Sequence, residues 1–302
     1  MFMKRKLVRQ GGSAMTITLP SDWVKRFKLE GGDEIDLEEQ QGKLIISTEA
    51  GKKENSIELS VSGLGPMVKR VLGALYKTGY DEFSIRFETP EEFETAQQVI
   101  REQFVGFELV DHQKKRFVAR KISTIDSKEF DTLLRRMFII IKVLGEELIE
   151  AIKEKDNAQL KMLALRDKDV NKLADFCRRT INVYGAIQFK RPGPLYFIVE
   201  QLEKVGDYYR DLCLELSRRD LNTAGVDLEY LKRVNLLYTK IYELYFQFEM
   251  EQLPELHALQ KSIKEQAQEL RKQEYDPLVL HYLQAIAESV FDMHGPLLTM
   301  KM

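Results

Sequence analysis

Two cysteines and four histidines are all that this 302-residue chain carries of the side chains most often used for nucleophilic chemistry and soft-metal binding. Cys177 and Cys213 sit in segments of helical periodicity, without the short spacings that hold zinc. They read as small buried hydrophobes in a reducing compartment. His112 stands alone in a charged stretch, which points to a surface position. A Gly-rich phosphate loop is missing, as is any Ser/His/Asp or Cys/His constellation, so acyl transfer and P-loop chemistry find no footing. Apolar runs such as Met137 to Ile141 fall far short of the ~20 residues of a spanning helix. The first ten residues lack the apolar stretch of a secretory signal. The expectation is a cytoplasmic protein with no membrane insertion and no enzymatic step.

What the chain does have is an uneven distribution of charge. Residues 1–28 hold Lys4, Arg5, Lys6, Arg9, Lys25, Arg26 and Lys28 against Asp22, seven cations to one acid. That end is +6 in a chain whose total is −2, so the remainder is −8. Such asymmetry fits a basic end that meets a polyanion and an acidic body that does not, although a solvated charged face has the same composition.

Three segments follow from the patterning. Residues 1–53 read as short strands and one short helix: Lys6–Arg9, a turn at Gln10-Gly11-Gly12, and the alternating Ala14–Leu19, with Met15, Ile17 and Leu19 on one face. Pro20 ends pairing, and Ser21 is placed to cap a helix over Trp23, Val24 and Phe27. Gly31-Gly32 leads into a strand at Ile35–Leu37, and Gln41-Gly42 turns into Leu44-Ile45-Ile46. So few large apolar side chains make a poor solitary core, so a second copy is expected to complete it.

Residues 54–123 change pattern to a small α/β sandwich. A strand at Ser56–Val61, a helix over Pro66–Lys77 closed by Gly79, and a strand at Glu82–Phe87 precede Thr89-Pro90-Glu91-Glu92, which has the makings of a capped helix start. Strands at Phe107–Val110 and Phe117–Ala119 finish it. Residues 124–302 are helical throughout. Breaks near Asp156-Asn157, Gly185 to Pro194, Asp220 to Gly225, Leu253-Pro254 and Tyr275 to Pro277 leave six helices of roughly 18–28 residues, the dimensions of an antiparallel bundle.

A weak repeat runs through this half: Glu203-Lys204-Val205-Gly206-Asp207-Tyr208 is echoed by Glu288-Ser289-Val290-Phe291-Asp292-Met293, each late in a set of three helices. Carboxylates four residues apart share a helix face and repel unless a cation lies between them. Oxygen-rich sites suit Mg, Ca, Mn or iron. Asp167, Asp169 and Asn171 on the preceding helix could add oxygens, whereas the second unit offers only Glu265 and Glu269. A charged groove for a protein partner would carry the same pattern.

Two resemblances rest on these residues. Residues 5–47, with a basic strand, a Gly turn, an alternating strand ending in Leu-Pro, a short helix and then "LEGGDEIDLEE…GKLIIS", resemble the AbrB/SpoVT-type swapped-hairpin domain also found in antitoxins. The resemblance implies a homodimer through the amino-terminal domain and DNA contacts from Lys4, Arg5, Lys6 and Arg9, with Lys25 and Arg26 at the helix. From about residue 126 onward, "RDKDVNKL" (Arg166 to Leu173) and "EQLEKVGDYYRDL" (Glu200 to Leu212) resemble the PhoU family of phosphate-uptake regulators. That resemblance implies paired three-helix bundles and a metal cluster (iron, Mn or Mg) at Asp167, Asn171, Glu203 and Asp207, with Glu288 and Asp292 in the second unit. The second unit lacks the Arg-Ile-Gly centre usual there.

Together these features give a multidomain chain: a β-rich swapped-hairpin domain, a small α/β domain, and an all-α six-helix PhoU-like bundle of two three-helix repeats. The function they imply is a phosphate-responsive transcriptional regulator of phosphate uptake, the bundle serving as sensor or partner dock. The alternative is a signalling adaptor that binds a phosphate transporter or sensor protein without touching DNA. A metal-dependent phosphatase has little to recommend it: no histidine clusters with the carboxylates, although His294 follows Asp292 by two.

Overall fold

Gly11, at φ +70°, turns β1 (Val8–Gln10) back on β2 (Ala14–Thr16) in a three-residue antiparallel ladder that pairs Val8 with Thr16. The alternating pattern continues to Leu19, but pairing stops at Thr16 because β1 is too short to offer further partners. Ser21 does not cap α1 (Ser21–Arg26). It is the first helical residue, and extended Pro20 precedes it, its carbonyl accepting from Val24 N at 3.0 Å. β3 (Asp36–Gln40) and β4 (Lys43–Ser47) form a second antiparallel ladder.

This is a computed structural model, and it describes residues 4–12, 14–40, 43–48, 55–123, 129–220, 226–273 and 275–302. The expected turn at Gln41-Gly42, the 123/124 boundary and most of the Asp220–Gly225 break lie outside them. The chain divides into two compact units, Met1–Ser56 and Ile57–Met302. In the first, Leu7, Val8, Met15, Ile17, Leu37 and Leu44 are all exposed.

The second unit begins with the α/β segment. α2 (Met67–Thr78) ends at Gly79, whose φ of +111° makes the left-handed turn that favours glycine. β6 (Glu82–Arg86) leads to α3 (Pro90–Gln103), where the capping box forms: Glu92 N donates to Thr89 Oγ1 at 3.3 Å and Thr89 N to Glu92 Oε2 at 3.2 Å. The Glu92 carboxylate also accepts from Gly63 N at 2.6 Å and so ties the start of α3 to the loop before α2. β7 (Phe107–Gln113) and β8 (Arg116–Lys121) form a hairpin, and with β5 (Ser56–Ser60) the sheet order is β5-β6-β8-β7. The hairpin strands run longer than their apolar cores suggested. Exposed His112 extends β7, its ring stacked 4.2 Å from that of Phe93. The segment has its own aromatic core, with Tyr76 stacked on Phe104 at 4.5 Å.

The helical half comprises α4 (Glu129–Glu154), α5 (Asn157–Ala164), α6 (Asp167–Gln188), α7 (Pro192–Leu216), α8 (Leu228–Phe246), α9 (Leu253–Lys272), α10 (Pro277–Asp292) and α11 (His294–Lys301). Among the described residues there are thus six long helices and two of eight residues. The sequence did not announce the breaks before Asp167 and at Met293. Asp156, Asp227 and Asp276 cap α5, α8 and α10 through their side chains. The two helices of the internal repeat, α7 and α10, pack directly on each other and share one continuous core with the rest.

Arg179 of α6 holds the α/β segment to the helices. Its buried guanidinium donates to the carbonyls of Tyr76 (2.7 Å), Gly79 (3.1 Å) and Tyr80 (2.8 Å) and to Asp81 Oδ1 (2.6 Å). It also lies 5.1 Å from the ring centroids of both Tyr76 and Phe107. Removing one partner of a buried, fully bonded charge costs about 3–5 kcal/mol. Arg179→Ala should therefore destabilise the full chain by an amount of that order, read as a lower urea midpoint. Arg179→Lys should restore only part of it, because an ammonium cannot reproduce the planar fork; full rescue by lysine would show that charge alone holds the joint.

Candidate nucleic-acid interface and helical carboxylate seam

The basic residues at the amino end occupy the first unit as exposed side chains. Lys4, Arg5 and Lys6 precede β1, Arg9 lies within it opposite Met15, and Lys25 and Arg26 end α1. Arg26 places its guanidinium 5.3 Å from the Phe27 ring. Among the described residues none of these six cations is in an ion pair. They keep the full charge that phosphate contacts require, and each phosphate neutralised releases counterions. The hairpin is braced locally by Thr16 Oγ1, which donates to Val8 O at 3.1 Å.

The carboxylates singled out in the helical half are arranged differently. Asp167, Asn171, Asp175 and Arg178 follow one face of α6; Glu200, Glu203, Asp207 and Arg210 follow the facing side of α7. Gly206 lets the helices close, since a Cβ there would meet Val170 Cγ1 at 3.0 Å. Arg210 donates to Asp167 Oδ2 at 2.9 Å, to Asp211 and, in a short contact, to Asp207. Asn171 Nδ2 donates to the same Asp167 oxygen at 2.8 Å. Arg178, buried, is 3.0 Å from Asp175, 2.5 Å from Glu200 and 3.4 Å from Glu203.

Asp167, Asn171, Glu203 and Asp207 are therefore brought to one seam, but two arginines supply the countercharge between them. As placed, these residues do not present a shared set of oxygens to a divalent metal. Arg210 takes Asp167 Oδ2 and an Asp207 oxygen, and Arg178 lies 3.4 Å from Glu203, while Asp167 Oδ1 is buried without a hydrogen-bond partner among the described residues. Among the described residues no three His, Cys, Asp or Glu side chains converge on a common point. In the second unit Glu288 is exposed and lines a water-sized hollow with Tyr230, Gln260 and Gln284, and Asp292 is an exposed end residue of α10. The two are not joined in a site. Sequence reasoning missed Arg178 and Arg210, although each follows an acid by three residues, the spacing of an intrahelical ion pair.

The α/β segment covers this seam. Lys69, Arg70, Gly73 and Lys77 of α2 and Gln103 of α3 close a polar cavity of about 250 Å³ over Arg178, Glu203 and Arg210. A neighbouring cleft of about 370 Å³ continues between α3 and the start of α6, lined in part by Gln98, Glu102, Asp167 and Lys168.

Burial raises the Asp167 carboxyl above its ordinary value against the pull of Arg210, and nearby Asp207 adds to the shift. Burial likewise raises Glu203, opposed by Arg178. A carboxyl with a raised folded value stabilises most below its unfolded value of about 4, and that stability is lost as pH rises through the folded value. Asp167→Asn removes this dependence. In denaturation series from about pH 4 to 7 the variant should gain on the wild type as pH rises; a variant that loses ground over that range would mean that Arg210 outweighs burial at Asp167.

Residues 8–55 match the family model described as antidote-toxin recognition MazE, bacterial antitoxin, which places a MazE/AbrB-like domain in the first unit. No curated protein and no solved structure matches the chain.

Proposed function

We propose that the chain is a homodimeric DNA-binding transcriptional regulator of phosphate uptake, with the hairpin unit on DNA and the PhoU-like helical half as sensor or partner dock. The observation that carries the reading is the set of six exposed, unpaired cations at Lys4, Arg5, Lys6, Arg9, Lys25 and Arg26, within or beside a segment that matches an antitoxin family. The dimer is supported by the exposure of Leu7, Val8, Met15, Ile17, Leu37 and Leu44, a set of apolar side chains that one copy of the unit does not bury. The phosphate role is supported by the motifs at Arg166–Leu173 and Glu200–Leu212, which resemble those of phosphate-uptake regulators. The chain performs no catalytic step in this reading, and the arginine-bonded carboxylates serve as a joint between helices.

Selection of sheared genomic DNA on the purified protein at about 150 mM salt, followed by sequencing, tests the whole reading, because phosphate contacts survive there only when backed by specific ones. Enrichment upstream of phosphate-transport genes is the expected result. Arg5→Ala/Lys6→Ala/Arg9→Ala should abolish capture while the dimer persists. It should also flatten the dependence of affinity on salt by about one unit of log slope for each phosphate the variant no longer neutralises. Uniform, salt-labile capture by the unaltered protein, or none, would move the function to an adaptor role on a transporter or sensor protein. Unchanged capture by the triple variant would take the DNA contact away from these three residues.

A further inference from the structure

We propose that the cavity between α2 and the α6–α7 seam binds a phosphoryl-type oxyanion, as inorganic phosphate or as the phosphate of a small nucleotide. The inference deepens the regulator reading by giving its sensor a ligand site, and it rests on that reading for its purpose alone; the binding stands on the cavity.

Charge is the first argument. Lys69, Arg70, Lys77, Arg178 and Arg210 line the cavity against Asp175, Glu203 and Asp207. Glu200, Asp167 and Asp211 also bond to the two arginines, so the charge left for a ligand is that of Lys69 and Arg70. The three carboxylates are already held: Asp175 by Arg178 and by Lys77 at 3.4 Å, Glu203 by Arg178, and Asp207 by Arg210. Lys69 and Arg70 are not in an ion pair among the described residues. The uncommitted charge therefore comes from α2, and it matches the roughly −1.5 to −2 carried by a phosphate group near pH 7. A cationic occupant would meet Lys69 and Arg70 as unpaired like charges.

Gly73 is the second argument, independent of charge. It lies in the middle of α2 and is buried, where glycine costs about 1 kcal/mol against alanine. Packing does not demand it: a Cβ there would meet nothing nearer than Lys77 Nζ at 3.9 Å. Lys69, Gly73 and Lys77 are spaced four apart, so the missing side chain leaves room between two lysines on one helix face. The glycine keeps a space open rather than permitting a close approach. An anion in that space would bond to Lys69 and Arg70 of α2, beside a seam whose Arg178 and Arg210 N–H groups the carboxylates already hold. By linkage it would stabilise the folded second unit.

The test is isothermal titration calorimetry of the full chain in phosphate-free buffer at low ionic strength, with inorganic phosphate in one arm and AMP in the other. Saturable binding of either is expected, and the arm that gives it names the source. Lys69→Ala/Arg70→Ala, which alters only exposed side chains, should weaken it by about tenfold or more, the equivalent of one lost charge-assisted bond. Gly73→Leu, folded by circular dichroism, should abolish it by filling the space. No saturable binding in either arm, or binding that Lys69→Ala/Arg70→Ala leaves unchanged, would overturn the proposal. DNA capture by the same preparations is scored separately: if capture fails while the anion binds, the regulator reading falls and the site stands, and the reverse holds equally.

Discussion

The grip of Arg179 on the carboxyl end of α2 is the contact on which the arrangement of the second unit depends. Here one guanidinium takes the carbonyls of Tyr76, in the last turn, and of Gly79 and Tyr80, just beyond it, together with the Asp81 carboxylate. The neighbouring Arg178 points the other way, into the acids of α7. Two consecutive arginines on α6, about 100° apart on a helix, thus face its two neighbours. α6 becomes the shared member: it positions α2 through Arg179 and α7 through Arg178 and Asp167. Gly79 makes the first contact close, since its Cβ would lie 2.7 Å from Val183, and Gly206 does the same for the second. The cavity between these helices follows from how tightly they are held at either end.

Cations in this chain fall into two kinds, and the difference decides what each region can bind. In the helical seam, arginines three residues after an acid are spent on carboxylates, and the burial of Arg178 makes its pairing a matter of necessity rather than surplus stability. In the hairpin unit, at the six cations named above, and on α2 at Lys69 and Arg70, the cations make no ion pair among the described residues. Only uncommitted charge can recruit an anion without first breaking a bond. The acids that suggested a metal on sequence grounds are thus bonded to Arg178 and Arg210, which offset part of their charge. On the proposed readings, anion binding falls to cations outside this seam.

What was legible in the sequence was local. The Thr89–Glu92 capping box, the left-handed Gly79, the break at Asp156 and the α/β succession can each be read within a window of a few residues, because the groups that satisfy one another are near neighbours in the chain. Boundaries that depended on a distant partner were missed. β2 ends at Thr16 because β1 begins only at Val8, and no property of Ile17 to Leu19 reveals that. Ser21 could cap a helix, yet Pro20 already places the chain in an extended turn into it. The Arg210–Asp167 bond spans 43 residues of sequence, so the acids were visible as a motif while their neutralisation was not.

The hairpin unit raises the matter of what the folding unit is. Roughly fifty residues bury a smaller fraction of their surface than a large domain does, and each large apolar side chain left in water forgoes about 1.5–3 kcal/mol. With Leu7, Val8, Met15, Ile17, Leu37 and Leu44 all exposed, the unit as a single copy lacks most of the burial that would hold it folded. On the proposed reading, a second copy supplies that burial, so order in the hairpin and presentation of Arg5, Lys6 and Arg9 become one concentration-dependent event. DNA affinity would then be limited by assembly before any base is read. Any influence the helical half exerts on the distance between two hairpin units would act at that step, without changing a single contact to DNA.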